Sequence, residues 1–244
     1  MPTVSFATSC WKRDWEEILF DPNYLSVHQI GHHAFPFRER ILVINNGVDL
    51  SRACPQADAL IRQNTLTHAV LAEEGMDALL AYFSLTRSEF TEWQLYNAIA
   101  PLTAIKNATS DYLLYMTGDV FLEKRVCWIE KALRYMEKRR ECRVANLTWN
   151  NNYREAKRES YRKTWNFYVA NEGFSDQMFL VRRSDFAEAI YGEIREDAAH
   201  FPRGDVWEKR VFSYMKNRGW ERITYRWGSY THKDMNLSSK EPEN

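Results

Sequence analysis

Two apolar runs that enclose a single acid dominate the middle of the chain. The run 112–116 reads Tyr-Leu-Leu-Tyr-Met, and the turn Thr117-Gly118-Asp119 separates it from the second run, 120–122. An apolar run of this length predicts a strand that is buried in a sheet. Open α/β sheets bind ligands at the carboxyl ends of their strands, and carboxylate oxygens are ligands that Mg²⁺ and Mn²⁺ accept. The stretch therefore presents Asp119 as a candidate metal ligand that would face a diphosphate.

Short apolar runs and amphipathic segments alternate along the first 150 residues. Runs rich in β-branched and aromatic residues predict strands, whereas apolar residues spaced by three or four positions predict helices. The predicted strands are 3–7, 40–44, 68–72, 112–116 and 143–149, and the predicted helices are 14–19, a segment through 57–61, 92–108 and 123–140, with a loop over 28–33. This repetition is typical of an α/β fold with a mainly parallel central sheet flanked by helices.

The pattern changes after residue 150. Residues 153–167 are polar, basic and aromatic without clear periodicity, which predicts a surface excursion that could build an acceptor site. The remaining predictions are a strand over 174–181, a short helix over 185–191, a loop over 200–205, a helix over 206–217 and a strand over 223–227. Gly219 is expected to end the last helix.

Charge and cysteine content bear on the class of protein. The 244 residues carry 33 basic and 33 acidic side chains, and this balance argues against a nucleic-acid binder, which usually has a basic excess. The four cysteines show no zinc-binding spacing. The chain has neither a signal-peptide pattern nor an apolar run of transmembrane length. These features predict a cytoplasmic protein without a transmembrane segment.

Polar side chains follow the first two predicted strands. Thr8 and Ser9 come after the first strand, and Asn45 and Asn46 come after the second. A strand end before a helix suits a nucleotide or its phosphates. On this segment alone, capping of the helix by Ser9 is the favoured interpretation, whereas the two asparagines suit a nucleotide contact and an ordinary turn equally. Lys106, just before the central strand, is either a phosphate partner or a solvated cation at a helix end.

These segments, in this order, resemble the GT-A class of nucleotide-sugar glycosyltransferases, in the broad manner of glycosyltransferase family 2. The resemblance extends from Thr3 to about Asp234, and the stretch 108–119 is similar to the segment that leads into the family's DXD metal motif. It implies a single GT-A-like domain over 1–244, with a nucleotide-sugar-binding half over 1–122, an acceptor-binding half over 123–236 and a flexible tail over 237–244.

The resemblance implies a metal-assisted transfer of a sugar from a nucleoside-diphosphate sugar to a hydroxyl of a glycan or glycolipid, as in polysaccharide biosynthesis, and it leaves peripheral membrane contact open. Thr117, Gly118 and Asp119 would contact the nucleotide sugar. Mn²⁺ or Mg²⁺ would be held by Asp119 and by His232, since 229–234 resembles the segment whose histidine completes the metal site. A histidine ligand favours Mn²⁺. Thr117 replaces the first acid of the motif, so the usual contact of that acid with the ribose or metal is lost.

The resemblance also implies an inverting transfer, in which a carboxylate accepts the proton of the acceptor hydroxyl. Asp205, in the stretch 204–210, aligns best with the family's acidic motif, and Glu208 lies one helical turn further on. Asp176 is a rival that precedes an apolar strand. An acid at position 205 is also a normal helix cap, and a retaining transfer would need no such base.

Two other classes of protein share parts of this pattern. A sugar nucleotidyltransferase has the same strand–helix architecture and metal chemistry, but 8–11 contains no glycine where such enzymes carry a glycine-rich loop. A non-catalytic nucleotide-sugar-binding or scaffold protein on a degenerate GT-A fold is the second alternative, because Thr117 stands in place of an acid.

Overall fold

The computed structural model describes residues 2–171, 173–198 and 206–233, so the predicted tail lies outside the described residues. Within them the strands are β1 (Val4–Cys10), β2 (Glu39–Ile44), β3 (His68–Leu71), β4 (Tyr112–Met116), β5 (Val120–Phe121), β6 (Cys142–Trp149), β7 (Arg162–Lys163), β8 (Phe167–Ala170), β9 (Met178–Arg182) and β10 (Glu221–His232). The α-helices are α1 (Trp15–Phe20), α2 (Leu50–Arg62), α3 (Met76–Tyr82), α4 (Glu92–Asn107), α5 (Ile129–Lys138), α6 (Tyr153–Glu159), α7 (Arg183–Phe186) and α8 (Val206–Arg218). A π-helix spans Tyr24–Ile30, and single 3₁₀ turns span Gly31–His33, Arg87–Glu89 and Glu196–Ala198.

The strands form one sheet in the order β3-β2-β1-β4-β9-β6-β10-β8-β7, and β5 pairs with β10 beside it. The first four strands in this order are parallel to one another. β9 runs antiparallel to β4 and β6, and β10 is parallel to β6. The predicted α/β fold with a central sheet is thereby confirmed. Parallel pairing brings the carboxyl ends of β1, β2 and β4 to one edge of the sheet, where such folds bind ligands.

The central strand β4 is covered on both faces. Leu113 and Tyr115 belong to a core cluster with α4 and α8, whereas Tyr112, Leu114 and Met116 belong to a cluster with α5. Side chains of a strand alternate between the faces of the sheet, so a strand covered on both faces is apolar throughout. No helix in the described part of the chain combines the length and apolar character needed to cross a bilayer.

Some predicted boundaries are wrong because tertiary hydrogen bonds decide them. β1 continues to Cys10, since it pairs with β2 from Ser5 to Cys10. The helix predicted from 123 begins only at Ile129. Before it, Leu122 N–H and Val126 N–H donate to carbonyls of the segment 28–33 instead. That segment was predicted as a loop and is helical over most of its length.

The excursion over 153–167 is more ordered than its composition indicated. It forms α6 and the β7–β8 hairpin, whose second strand pairs with β10. β10 is also much longer than the predicted strand 223–227, because it pairs with β6, β8 and β5 in turn. Gly219, at φ +64°, ends α8 as predicted. Pairing with distant strands therefore extends this half of the sheet.

Candidate functional site

A cleft of about 800 Å³ opens at the edge of the sheet where β1, β2 and β4 end. The last residue of β10, the first turns of α4 and the first turn of α8 contribute to its wall. Most of the predicted site residues line it, namely Ser9, Asn45, Asn46, Thr117, Gly118, Asp119, Asp176, Glu208 and His232. Residues that are far apart in the sequence therefore meet in one cavity.

Two of the predicted site residues that the structure describes, Thr8 and Lys106, are not among those that line the cleft. Thr8 lies within β1, where its side chain is fully buried and its hydroxyl has no hydrogen-bond partner. Lys106 is exposed at the end of α4, where its ammonium lies 5.7 Å from the ring centroid of Tyr82. The first turns of α4 line the cleft, whereas Lys106 lies in the last turn of the helix. This position agrees with a cation at a helix end. Asp205 lies outside the described residues.

Asp119 and His232 contact each other across 113 residues of sequence. The distance from Asp119 Oδ2 to His232 Nε2 is 3.0 Å, and both side chains face the cleft. Strand pairing produces this contact, since His232 lies opposite Val120 in the β5–β10 pair and Lys233 N–H donates to the Asp119 carbonyl. The Thr117 hydroxyl donates to Asp119 Oδ1 at 2.9 Å. Both oxygens of the carboxylate are thus held in place.

The π-helix holds the turn that carries Asp119. The Gln29 side-chain amide lies 3.2, 3.1 and 2.7 Å from the carbonyl oxygens of Thr117, Gly118 and Val120. The Tyr24 hydroxyl donates to the Gly118 carbonyl at 2.6 Å. A buried carbonyl without a partner costs about 1–3 kcal/mol. These contacts therefore stabilise one conformation of the turn.

Gly118 leaves no room for a side chain. An added Cβ would lie 2.4 Å from the Ser9 carbonyl oxygen, 2.5 Å from Ile18 Cδ1 and 2.8 Å from Asp14 Oδ2. The turn therefore packs directly against the end of β1 and the start of α1. The close approach explains why a glycine precedes Asp119.

Two of the other acidic residues that line the cleft, Asp14 and Asp176, have raised pKa values. The Trp11 N–H donates to Asp14 Oδ1 at 2.7 Å, and Asp14 is almost fully buried. Burial raises the pKa of Asp14 well above its usual range and the charge of Asp119 raises it further, against the Trp11 hydrogen bond, which lowers it. Burial also raises the pKa of Asp176 to about 6, with the Asp119 charge acting in the same direction and backbone hydrogen bonds and His232 acting against it. The cleft therefore holds protonatable carboxyl groups beside Asp119.

Several lining residues were missed by sequence reasoning. They are Trp11, Lys12, Asp14, Glu92, Trp93, Tyr96, Asn97, Ala100, Tyr115 and Gln177. Trp11, Lys12 and Asp14 directly follow β1, and that position was a usable signal. The α4 residues enter the cleft through a tertiary contact, in which the Asn45 side-chain amide donates to the Tyr96 carbonyl at 2.8 Å. No local pattern announces that contact.

The donor set for a metal consists of few protein groups. Across residues 2–171, 173–198 and 206–233, no three or more His, Cys, Asp or Glu side chains come together as a metal-binding group. Asp119 Oδ2 and His232 Nε2 lie 3.0 Å apart, which is close enough for both atoms to bind one ion. Mg²⁺ and Mn²⁺ sites at diphosphates often use only one or two protein ligands, with water and phosphate oxygens as the rest. The two residues fit that type of site.

Comparison with known proteins gives similarity in structure only. No protein-family model and no curated protein matches this sequence. The structure is similar to that of the mannosyltransferase PcManGT from Pyrobaculum calidifontis, which was solved in complex with GDP-Man and Mn²⁺. This match covers 95% of the present chain, with a TM-score of 0.57 and 12% sequence identity. It is also similar to the structure of GalNAc-T7, which was solved with UDP, GalNAc and Mn²⁺. That match also covers 95% of the present chain, with a TM-score of 0.55 and 13% sequence identity.

These matches cover 56% of the mannosyltransferase chain and 44% of the GalNAc-T7 chain, so the present chain spans about half the length of each. At such low identity, structural similarity establishes the fold. The chain has a GT-A glycosyltransferase fold, as the resemblance in its sequence implied.

Proposed function

We propose that this GT-A domain is a glycosyltransferase that moves a sugar from a nucleoside-diphosphate sugar to a hydroxyl of a glycan or glycolipid. The observation that carries the proposal is the contact between Asp119 and His232 at the ligand-binding edge of the sheet. The two solved structures described above are glycosyltransferases in complexes that contain Mn²⁺ and a nucleotide or nucleotide sugar.

Asp119 and His232 would hold the divalent metal. The Thr117 hydroxyl and the Lys233 backbone N–H hold Asp119 in place. The backbone N–H of His232 donates to the Asn150 side-chain carbonyl at 2.8 Å. A divalent cation at this position supplies positive charge that stabilises the diphosphate leaving group. The histidine nitrogen favours Mn²⁺ over Mg²⁺. Thr117, in place of an acid, serves to orient the carboxylate of Asp119 rather than to bind the metal.

The loops after β1 and β2 would bind the nucleotide. The Lys12 N–H donates to the Asn46 carbonyl at 3.2 Å, which ties the two loops together beside the cleft. Ser9 and Asn46 supply polar groups there, and the Lys12 side chain supplies a positive charge for a phosphate. Trp11 offers an indole beside the same loops.

Asp176 is the carboxylate that we favour as catalytic base for an inverting transfer. It lines the same cleft as Asp119, and a pKa of about 6 lets it accept a proton near neutral pH more readily than an ordinary aspartate. Glu208, in the first turn of α8, lines the cleft as well and is the second choice. Asp205, which the family motif favours, stays a prediction because it lies outside the described residues.

The proposal is tested by thermal unfolding with GDP, UDP and CDP in the presence and absence of Mn²⁺. A ligand at one hundred times its Kd raises the free energy of unfolding by about 2.7 kcal/mol. We expect one diphosphate to stabilise the wild type only with Mn²⁺, and Asp119→Asn and His232→Gln to lose this effect. Asp58→Asn is the matched control, since Asp58 is exposed on α2 away from the cleft. Stabilisation that persists in Asp119→Asn would refute the proposed metal site.

Turnover separates the proposed enzyme from the two alternatives. A glycosyltransferase releases a nucleoside diphosphate from the nucleotide sugar, whereas a nucleotidyltransferase releases pyrophosphate from a nucleoside triphosphate and a sugar. Binding of a nucleotide sugar without release of either product would indicate a scaffold protein. We expect release of the nucleoside diphosphate, with kcat reduced by at least about 10²-fold in Asp176→Asn and little change in nucleotide affinity.

A further inference from the structure

A second surface groove lies outside the cleft. It has a volume of about 370 Å³ and is lined by Lys163, Thr164, Trp165, Arg226 and Trp227. None of these residues lines the cleft described above. Trp165 is 81% exposed and Trp227 is 54% exposed, and their ring centroids lie 6.4 Å apart. Two neighbouring indoles open to solvent indicate an interaction surface.

The groove is rigidly built. Trp165 lies at the tip of the hairpin that joins β7 and β8, and β7 is the last strand of the sheet. The Thr164 N–H donates to the Phe167 carbonyl and closes the turn. The Arg226 guanidinium donates to the carbonyls of Thr164 and Trp165 at 2.6 and 2.8 Å, and the Trp227 indole N–H donates to the latter at 3.2 Å. The indoles are therefore held at the edge of the molecule.

The charge around the groove is positive. Lys163 and Arg226 line it, and among the residues that the structure describes no acidic or amide side chain does. In the described residues, the Lys163 ammonium has no ion-pair or hydrogen-bond partner. The chain as a whole is neutral, but the segment 153–168 contains two acids against five basic residues, namely Arg154, Lys157, Arg158, Arg162 and Lys163.

We propose that the groove formed by Lys163, Trp165, Arg226 and Trp227 docks the protein on an anionic lipid bilayer. Indoles prefer the level of the lipid headgroups, where an apolar ring can keep a polar edge in water. Each basic side chain near an anionic surface adds about 1 kcal/mol of attraction. Stable attachment usually needs two such signals together, and the groove combines both.

A neutral saccharide fits the groove less well. Sugar hydroxyls are usually held by carboxylate and amide side chains, and the groove offers neither. The indole planes are tilted by 51° to each other, so they form no common flat platform for a sugar ring. Lipid headgroups need only positive charge and an amphipathic ring. The chemistry therefore favours a bilayer surface.

The groove lies close enough to the cleft for both to act at once. Trp227 and His232 belong to the same strand, five residues apart, which corresponds to at most about 17 Å. Docking through Trp227 would thus hold the cleft near the bilayer surface. The inference does not rest on the proposed transfer reaction, because lipid binding can be measured without any nucleotide.

The test is sedimentation of the full chain with vesicles of phosphatidylcholine alone or of phosphatidylcholine mixed equally with phosphatidylglycerol. We expect binding to the mixed vesicles only, weakened by salt. Lys163→Ala should lower the partition coefficient about fivefold, and Trp165→Ala by at least about tenfold. Tyr82→Ala is the control, because Tyr82 is a half-exposed aromatic residue with a lysine above its ring and does not line the groove. Circular dichroism checks the folding of each variant.

A second measurement uses the wild type and does not depend on any variant. Brominated lipids in the mixed vesicles should quench indole fluorescence as the protein binds. The proposal would be overturned if the protein bound neutral vesicles as well as mixed ones, or bound no vesicles. It would also be overturned if Tyr82→Ala and Trp165→Ala lowered the partition coefficient equally. Quenching by soluble maltohexaose without vesicle binding would overturn it as well, and would indicate a saccharide platform.

Discussion

Gly118 is the position where a single added methyl group should do the most damage to the site. In Gly118→Ala, the Cβ would lie 2.4 Å from the Ser9 carbonyl oxygen and 2.5 Å from Ile18 Cδ1. Both distances are about 1 Å below ordinary contact. The backbone of Ser9 cannot move alone, because Ser9 pairs with Val43 of β2 and the preceding Thr8 pairs with Met116 of β4. The turn itself must therefore retreat.

The cost of that retreat can be worked out from the contacts. Overpacking of a well-packed core costs about 1–3 kcal/mol. Retreat also weakens the hydrogen bonds that Gln29 and Tyr24 make to the Gly118 carbonyl, each worth about 1 kcal/mol. We expect a total loss of about 3 kcal/mol in the free energy of unfolding, or roughly 6–12 °C in Tm for a chain of this size. Because Asp119 is the next residue, Mn²⁺-dependent nucleotide binding should fall as well.

Chemical denaturation and thermal unfolding would measure the loss. Gly192→Ala is the matched control, since an added Cβ there meets no atom within 4 Å. The control should change the free energy of unfolding by less than about 0.5 kcal/mol. If Gly118→Ala proves as stable as Gly192→Ala and binds nucleotide with Mn²⁺ as well as the wild type, the close packing of this turn is refuted.

Three further predictions concern stability. Burial lowers the pKa of His33 from 6.5 to about 3, so the unfolded chain binds a proton at a higher pH than the folded protein does, and stability that is present above pH 6.5 is lost as the pH falls. Guanidinium titrations at pH 7 and pH 5 should show a loss of about 2 kcal/mol in the free energy of unfolding from this group. An equal loss between pH 7 and pH 5 in His33→Gln would contradict this prediction. Gln29→Leu should lose about 2 kcal/mol in urea titrations, because it removes the two N–H donors that reach the carbonyls of the turn, each worth about 1 kcal/mol. Gln63→Leu, at an exposed position, should be near neutral, and equal effects of the two substitutions would disprove the role of Gln29 in holding the turn. Glu89→Gln should lower the free energy of unfolding by about 1–2 kcal/mol in thermal unfolding, since the buried Arg210 guanidinium lies 2.6 Å from Glu89 Oε2 and would lose its ionic partner. A Tm equal to that of the wild type would exclude a stabilising role for this ion pair.

Much of the fold was readable from local patterns. The apolar run at 112–116 predicted a strand covered on both faces, and β4 is such a strand. Helical spacing predicted α4 nearly to the residue, and its Thr91 capping box marks the start. Such patterns report burial, which local sequence encodes directly. The sequence was less informative about α6, β7, β8 and the length of β10, because those elements depend on pairing with distant strands.

The candidate site divides in the same way. The sequence placed Asp119 at the end of a buried strand and pointed to Ser9 and Asn46 as nucleotide contacts, and its resemblance to the GT-A class implied that His232 shares a metal with Asp119. Only the tertiary structure decided that β5 pairs with β10, which brings His232 within 3.0 Å of Asp119. Likewise it alone revealed the hydrogen bonds from the Gln29 side chain to the carbonyls of the turn. A periodic pattern records which side chains are buried, whereas contacts across a hundred residues depend on strand order, which no local stretch encodes.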